Sequence, residues 1–414
     1  MPNSVNTLKN APGVIAKMAA KMLADKTQFC KSIDKADESD WAGKNGYNSG
    51  DTIYISKPAR FIPTANADIT SDIQDVVEEK VALTLNTRKV VPIALTSSEI
   101  ATDLSLKSWA KRILEPAVSS MAQYIEKDFL QQATQATYQL VGSAGTTVFD
   151  TDLSLSAGQK INEMACPDLD GRYALLSPGA TRSAVNARKG LFQRSDEIAQ
   201  QYSKGYMGTA DGFDYLTNNL IYTQTNGTDV TGVAVEASVL TPATGATQLG
   251  VDGVASGATF TKGMVFTIAG VNAVHPITKQ DLGYLQQFTV TANVTETSGN
   301  TVTLSISPTI YSSASGSLQN VSALPADEAA LVFVGVASQA AQQSLFYHKS
   351  AFRMASVPLV LPEGLDMAAQ ETVDGMTIRV IRDYSVLTDK LILRLDFLGG
   401  LAATRPEWAV RATA

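Results

Sequence analysis

The chain has 414 residues, 44% of them hydrophobic and only 18% charged, and its net charge is −7. At ~150 residues per domain this length suggests two or three domains, and the acidic balance excludes a protein that coats nucleic acid through a general basic surface. Cys30 and Cys166 lie far apart and exclude a disulfide framework; with His275 and His348 they cannot supply a Cys/His zinc site of usual spacing.

A large chain with so few charges either has an unusually compact surface or buries surface against partners. No secretory leader is visible, because Lys17 and Lys21 interrupt the apolar stretch 13–24. No run of ~18 apolar residues is present, so no transmembrane helix is expected, and no membrane partner is expected either. The sequence lacks G-x-x-x-x-G-K-[ST], strand-linked G-x-G-x-x-G, H-E-x-x-H and G-x-S-x-G. The nearest approach, Gly253-Val254-Ala255-Ser256-Gly257, has alanine where the nucleophile would stand. Both histidines read as structural or surface residues, and no catalytic, cofactor or metal site is expected.

Along the chain, Pro12-Gly13 opens an amphipathic helix with Val14, Met18, Met22 and Leu23 at helical spacing. Its small, Ala-rich face is expected to dock on a neighbour or a partner protein. Residues 36–50 have loop composition, and Thr52-Ile53-Tyr54-Ile55 is a short strand. Extended stretches follow near residues 59–62 and 81–91, the second alternating with a period of two. Between them lies the charged run Asp72-Ile73-Gln74-Asp75-Val76-Val77-Glu78-Glu79-Lys80. Together they predict a two-stranded excursion, which alone is marginally stable and needs a surface to lie on.

Thr96-Ser97-Ser98-Glu99 has the form of a capping box. The apolar stripe from Ile100 through Trp109 to Phe129 predicts a long helix reaching about Gln139, on the order of 60 Å at ~1.5 Å per residue. Pro116 lies inside it and predicts a bend, or two helices meeting there. Residues 153–164 and 180–189 read as helices, 173–176 as a strand, and 205–215 as a Gly-rich loop without a phosphate-binding context. From Thr223 to Glu328 the chain has two lysines, no arginine and seven acidic residues. Strands with a period of two are predicted at 233–240, 264–269, 288–294 and 301–306, giving an inserted β-barrel or sandwich. Residues 330–335 read as a strand returning to α/β material. Three last strands, at 355–361, 376–383 and 390–397, should pair near the base of the long helix. Thr404-Arg405-Pro406-Glu407 reads as a rigid tag of opposite charges.

This order of parts resembles the major capsid proteins of tailed bacteriophages, and most nearly the coat protein of the phage P-22 type. Two short stretches carry the resemblance in sequence: Ala403-Thr404-Arg405-Pro406-Glu407, and Lys262-Gly263-Met264-Val265-Phe266-Thr267-Ile268-Ala269-Gly270-Val271. The resemblance implies an α+β, HK-97-like fold with an inserted β-barrel domain. Residues 1–56 would be the N-terminal arm and first strand, 57–96 the extended loop and 97–139 the spine helix of the peripheral domain. Residues 140–222 and 332–372 would form the axial domain, 223–331 the inserted domain, and 373–414 the remaining peripheral strands and C-terminus.

It also implies self-assembly into pentamers and hexamers of an icosahedral shell, with a scaffolding protein and a portal protein as partners. The shell would enclose double-stranded DNA without sequence-specific binding, with assembly in the host bacterial cytoplasm and a final place in the virion. Candidate interface residues are Glu78, Glu79, Lys80, Arg88, Lys89, Arg405 and Glu407, and Pro116 is the candidate helix bend. Three alternatives stand beside this reading. They are an encapsulin-like cellular shell, a secreted β-rich adhesin, and an enzyme using the carboxylates around Asp72, Asp75, Glu78 and Glu79.

Overall fold

A computed structural model describes residues 12–36, 47–63, 70, 73, 76, 78–96, 113–145, 147–167, 170–188, 208–297, 299–362, 364–365, 367–385 and 390–414. The Glu99 end of the capping box, Asp72 and Asp75, and the first part of the predicted long helix lie outside these residues. The chain divides into two compact units. One comprises 1–55, 81–129 and 353–402; the other comprises 56–80, 130–352 and 403–414. Among the described residues no helix is long and apolar enough to cross a membrane.

In the first unit a six-stranded sheet runs in the order Asp34–Lys35, Phe352–Ser356, Lys390–Ala403, Met376–Ser385, Met367–Val373. Thr87–Thr96 also pairs with Lys390–Ala403, antiparallel, with Leu95 opposite Leu391 and Thr87 opposite Gly399. The sequence places residues 81–91 in one strand of an excursion. The structure splits this stretch at Leu85-Asn86: Leu85 N–H still donates to Asp51 O (2.9 Å), just before Thr52–Ser56, and Asn86 N–H turns back onto Thr84 O (3.0 Å). Lys80–Thr84 pairs with Thr52–Ser56, and only the second strand joins the large sheet. Residues 59–62 form no strand.

The Pro12–Lys26 helix packs on its own sheet rather than docking elsewhere, against Met367–Val373 and Met376–Ser385. Ala16, Ala19, Ala20, Leu23 and Ala24 are buried, while Met18 is exposed. Alanine lets a helix approach a sheet closely, so the small face expected to dock on a neighbour or partner packs instead within the chain. Buried Glu126 accepts the N–H groups of Gln28 (3.1 Å) and Phe29 (2.9 Å) at the start of the next short helix. Arg379 and Asp396 stand opposite each other on adjacent strands, and the buried Asp396 carboxylate accepts from Arg379 and Arg394.

The predicted long helix is described as Glu115–Ala136, preceded by a wide, π-type turn at Ile113–Leu114. It ends before Gln139 because Thr137 turns its hydroxyl back onto Ala133 O (2.9 Å) and a strand begins at Leu140. Its residues up to Phe129 belong to the first unit and those from Leu130 to the second.

Among the described residues the second unit holds two six-stranded sheets and two short two-stranded ones. The first, an α/β layer, runs Leu140–Val141, Ala409–Ala412, Ser344–His348, Arg172–Leu176, Phe213–Thr217, Thr209–Ala210. The helices Thr151–Glu163 and Pro178–Arg188 accompany it, the first capped by Asp150 accepting from Leu153 N–H (3.0 Å). Its core gathers Phe149, Leu153, Ile161, Phe213, Phe346 and Val410. Part of the predicted Gly-rich loop is instead a hairpin, whose Asp211-Gly212 turn has φ of 52° and 79°. That left-handed pair suits the twist of the flanking strands.

The other sheet is the insertion, in the order Ala234–Val235, Ala246–Asp252, Val302–Ile310, Asp281–Val290, Val265–Val274, Leu331–Phe333. It nearly closes on itself, since Val235 N–H donates to Ala329 O (2.9 Å) and Leu331 N–H to Val233 O (2.8 Å). Its core is apolar, around Phe260, Phe266, Phe288 and Phe333. Two expectations are corrected here. Leu331–Phe333 does not return to α/β material but pairs with Val265–Val274, since its alternating buried positions Leu331 and Phe333 complete the apolar core. The strand predicted over 233–240 stops at Val235, because Leu240 and Val239 turn back onto Glu236 O. The root of the insertion is a two-stranded pair of its entry, Thr223–Thr225, with its exit, Ala340–Gln342.

Candidate functional site

The candidate site is a cleft of about 240 Å³ in the second unit. Lys57, Arg60 and Glu79 reach it from the extended segment, Gln286, Pro308 and Asn320 from the insertion, and Ala403, Pro406 and Glu407 from the C-terminal turn. Locally the turn is built by Pro406–Trp408, a single 3₁₀ turn with proline at its start. It is anchored by Thr404 Oγ1 donating to Ser350 O (3.0 Å), Arg405 N–H to Ala351 O (3.1 Å) and Trp408 Nε1–H to Met164 O (3.2 Å).

The expected tag of charges is folded in. Glu407 is half-buried and accepts from Arg60 Nη2 at 2.9 Å, with Arg405 Nη1 at 3.7 Å. The Arg405 guanidinium lies 4.7 Å from the Trp408 ring centroid, a cation–π contact. Gln139 Nε2 donates to the Glu407 carbonyl (2.9 Å). Lys57 sits 3.7 Å from Glu79, and their backbones are also joined, Lys57 N–H to Glu79 O at 2.7 Å. Nearby, Lys279 donates to Ser317 O (2.6 Å) and Gln319 O (3.1 Å); burial, and then the Arg60 charge, push its ammonium down to about 8. Burial, then the Glu407 charge, push the Tyr138 hydroxyl far above the usual phenol range.

The predicted interface residues are thus only partly gathered. Glu79, Arg405 and Glu407 are drawn into the network of the cleft or its turn. Glu78, Lys80 and Arg88 are exposed. Lys89 pairs in the first unit with Asp128 and lies 6.0 Å from the Tyr124 ring. Pro116 lies at the second position of Glu115–Ala136, directly after the π-type turn at Ile113–Leu114.

Sequence reasoning missed Arg60, Lys160, Arg188 and Arg411. Lys160 donates to Leu140 O (3.0 Å) and Gln287 Oε1 (2.7 Å), and burial pushes it down to about 8 against the opposing pull of Glu163. Arg188, buried, holds Asp211, Ser154 Oγ (2.5 Å) and Tyr215 OH (3.1 Å). Arg411 is wholly buried in the last strand, and burial pushes its guanidinium down to about 9. The faint signal for Arg411 was its place inside the apolar run Ala409-Val410-Arg411-Ala412.

In the cleft the described charges pair, Arg60 with Glu407 and Lys57 with Glu79. Both histidines cap turns: His275 Nδ1 accepts from Ile277 N–H (3.2 Å) and Thr278 N–H (3.1 Å), and His348 Nδ1 from Ser350 N–H (3.2 Å). Neither cysteine forms a disulfide. The carboxylates of Glu236, Asp252 and Glu328 come within 4.8 Å of one another. Burial, with Glu236 beside it, raises the Asp252 carboxyl, while hydrogen bonds from Ser238 lower that of Glu236.

Residues 17–411 match the family model described as "P22 coat protein - gene protein 5". No curated protein matches the chain. Among solved structures, a capsid chain of Ralstonia phage GP4 is similar at 9% identity, with 92% of this chain and 87% of that chain covered and a TM-score of 0.47. A chain titled Mycobacterium phage Che8 is similar at 11% identity, with 93% and 90% covered and a TM-score of 0.45. The mature capsid of bacteriophage PhiM1 gives 12% identity, 94% and 86% covered and a TM-score of 0.45. These structural likenesses are distant, and the assignment rests on the family match, which spans nearly the whole chain. The chain belongs to the P22 coat protein family: it is a structural major capsid protein of HK-97-like fold, which assembles with copies of itself into the shell of a phage virion.

Proposed function

We propose that this coat protein assembles with a scaffolding protein, in the host bacterial cytoplasm, into a precursor shell of pentamers and hexamers. The shell receives a portal protein and encloses double-stranded DNA without reading its sequence. Residues 57–96 serve as the extended loop that rests on a neighbouring subunit, and residues 223–331 as the inserted domain that supports folding and contacts between capsomers.

One observation carries the loop assignment. The root of this segment is tied into its own unit by Arg60–Glu407 and Lys57–Glu79, whereas farther out Phe61, Ile73 and Val76 are 57%, 77% and 67% exposed. An anchored root with exposed apolar side chains beyond it suits a segment that is covered on assembly. In this reading Arg405 and Glu407 serve the neighbour contact through Arg60, by holding the root of the segment that makes it. The acidic total suits a container that must release its DNA, since a cationic lining would bind phosphate.

The test is particle size by light scattering and negative-stain microscopy, with and without the candidate scaffolding protein. Closed shells tens of nanometres across, formed with the scaffold, are the expected result. A chain that stays monomeric with the scaffold across salt and concentration would overturn the scaffold-dependent reading.

A further inference from the structure

The two stretches that resemble the capsid family most in sequence, residues 262–271 and 403–407, are far apart in the chain. One buried side chain links their neighbourhoods. Arg411, in the strand that follows the C-terminal turn, is 0% exposed. Its Nη1 donates to Gly263 O (2.7 Å) and Gln343 Oε1 (3.1 Å), and its Nη2 to Thr289 Oγ1 (3.2 Å). Among the described residues no carboxylate pairs with it, and its Nε is without an acceptor.

The acceptors come from separate parts of the fold. Gly263 precedes the strand Val265–Val274 and Thr289 lies in Asp281–Val290, both of the insertion; Gln343 follows the exit strand Ala340–Gln342. Gly263 has φ of +97°, and a Cβ there would lie 2.3 Å from Gln224 Oε1 of the entry strand. Only glycine suits that turn, and the Gly263 carbonyl it leaves facing inward is the one Arg411 takes. Gln224 Nε2 donates to Lys262 O (3.1 Å), so the entry strand braces the same turn. Enclosing a guanidinium among neutral groups is unfavourable unless its acceptors stay in place together. The arrangement therefore rewards simultaneous seating of the turn, the exit and the last strand.

We infer that Arg411 is a positioning residue that seats the insertion on the α/β layer through Gly263, Gln343 and Thr289, so that the C-terminal strand and the root of the insertion are held or released together. The inference concerns the single folded chain and needs neither scaffold nor DNA. It joins sites that local packing would leave independent: Gly263 N–H is held by Val290 O (2.8 Å), whereas Arg411 N–H is held by Gln139 O (2.8 Å).

Native-state hydrogen exchange of the full chain, read by mass spectrometry, tests it. In Arg411→Met, peptides covering 261–265 and 409–414 are expected to open together, at least about tenfold more often, while 246–252 and 302–310 keep wild-type protection. Arg411→Lys, a cation that cannot span all three acceptors, should recover part of the protection at both places. Opening confined to 409–414, no change, or a uniform rise across the insertion would each overturn the inference. If Arg411→Met does not accumulate as folded protein, Thr289→Val and Gln343→Met carry the test, since each removes one acceptor. Each should loosen both peptides; loosening of one alone would count against the coupling.

Discussion

The insertion and the α/β layer it interrupts hold themselves together by different means. The insertion spans about a hundred residues with no arginine and two lysines, and its core is a closed apolar set in which Phe266 meets Phe288 and Phe333 at ring distances of 5.8 Å and 5.2 Å. The layer has an apolar core too, but it also encloses cations: Arg188 on Asp211, Arg411 on three neutral acceptors, and Arg172 on Asn162 Oδ1 (2.8 Å). The difference follows chain topology. Strands of the insertion are near in sequence, and apolar alternation is enough to set their register. The layer pairs Leu140–Val141 with Ala409–Ala412, across most of the chain, and we read its directional polar contacts as what selects that partner.

Three experiments would sharpen or break this contrast. The largest effect is expected in the insertion, where Phe266→Ala should cost about 3–5 kcal/mol in urea unfolding, from lost burial plus a cavity. A loss below about 1 kcal/mol would mean that the apolar core is not what holds the insertion. Next comes Arg188→Met, which takes the counter-charge from Asp211, leaving it the hydroxyls of Ser154 and Tyr215, and should cost about 3 kcal/mol. Adding Asp211→Asn, a residue that tolerates the left-handed turn, should recover at least half of that loss. A double variant as unstable as the sum of the singles would show that the pair is not acting as a pair.

The smallest effect is in pH dependence. Lys160 titrates near 8 when folded and near 10.5 when unfolded, so between those values the unfolded chain binds more protons and stability rises with pH. Below pH 8 the lysine is charged in both states and its burial cost is fully present. The unfolding free energy of the native protein relative to Lys160→Met, from urea titrations, should therefore climb through this window, by about 1 kcal/mol per pH unit at most. A pH-independent difference would mean that the surroundings of Lys160 do not depress its ammonium.

Much of the local structure was legible from residues alone. The period-two runs around Val265–Val274 and Val302–Ile310 announced strands, Pro12-Gly13 opened a helix, and the change of composition near Thr223 marked the insertion, whose entry strand begins there. Periodicity and turn chemistry act over a few residues, so a sequence can report them. The candidate site was less legible. Arg405 and Glu407 stood out as a charged pair, but their inward fold, and Arg60 as the partner of Glu407, depend on bringing residues 60 and 407 together. Ala409–Ala412 went unread as a strand because arginine ordinarily signals solvent. Whether Arg411 is surface or core is decided by acceptors at Gly263, Thr289 and Gln343, none of them near it in the chain. The sequence by itself determined which segments could become strand or helix and how they alternate. Only the tertiary structure decided which strands meet and which charges are enclosed, because both depend on contacts between segments that are not neighbours in the chain, as where Arg60 meets Glu407 and Leu140–Val141 meets Ala409–Ala412.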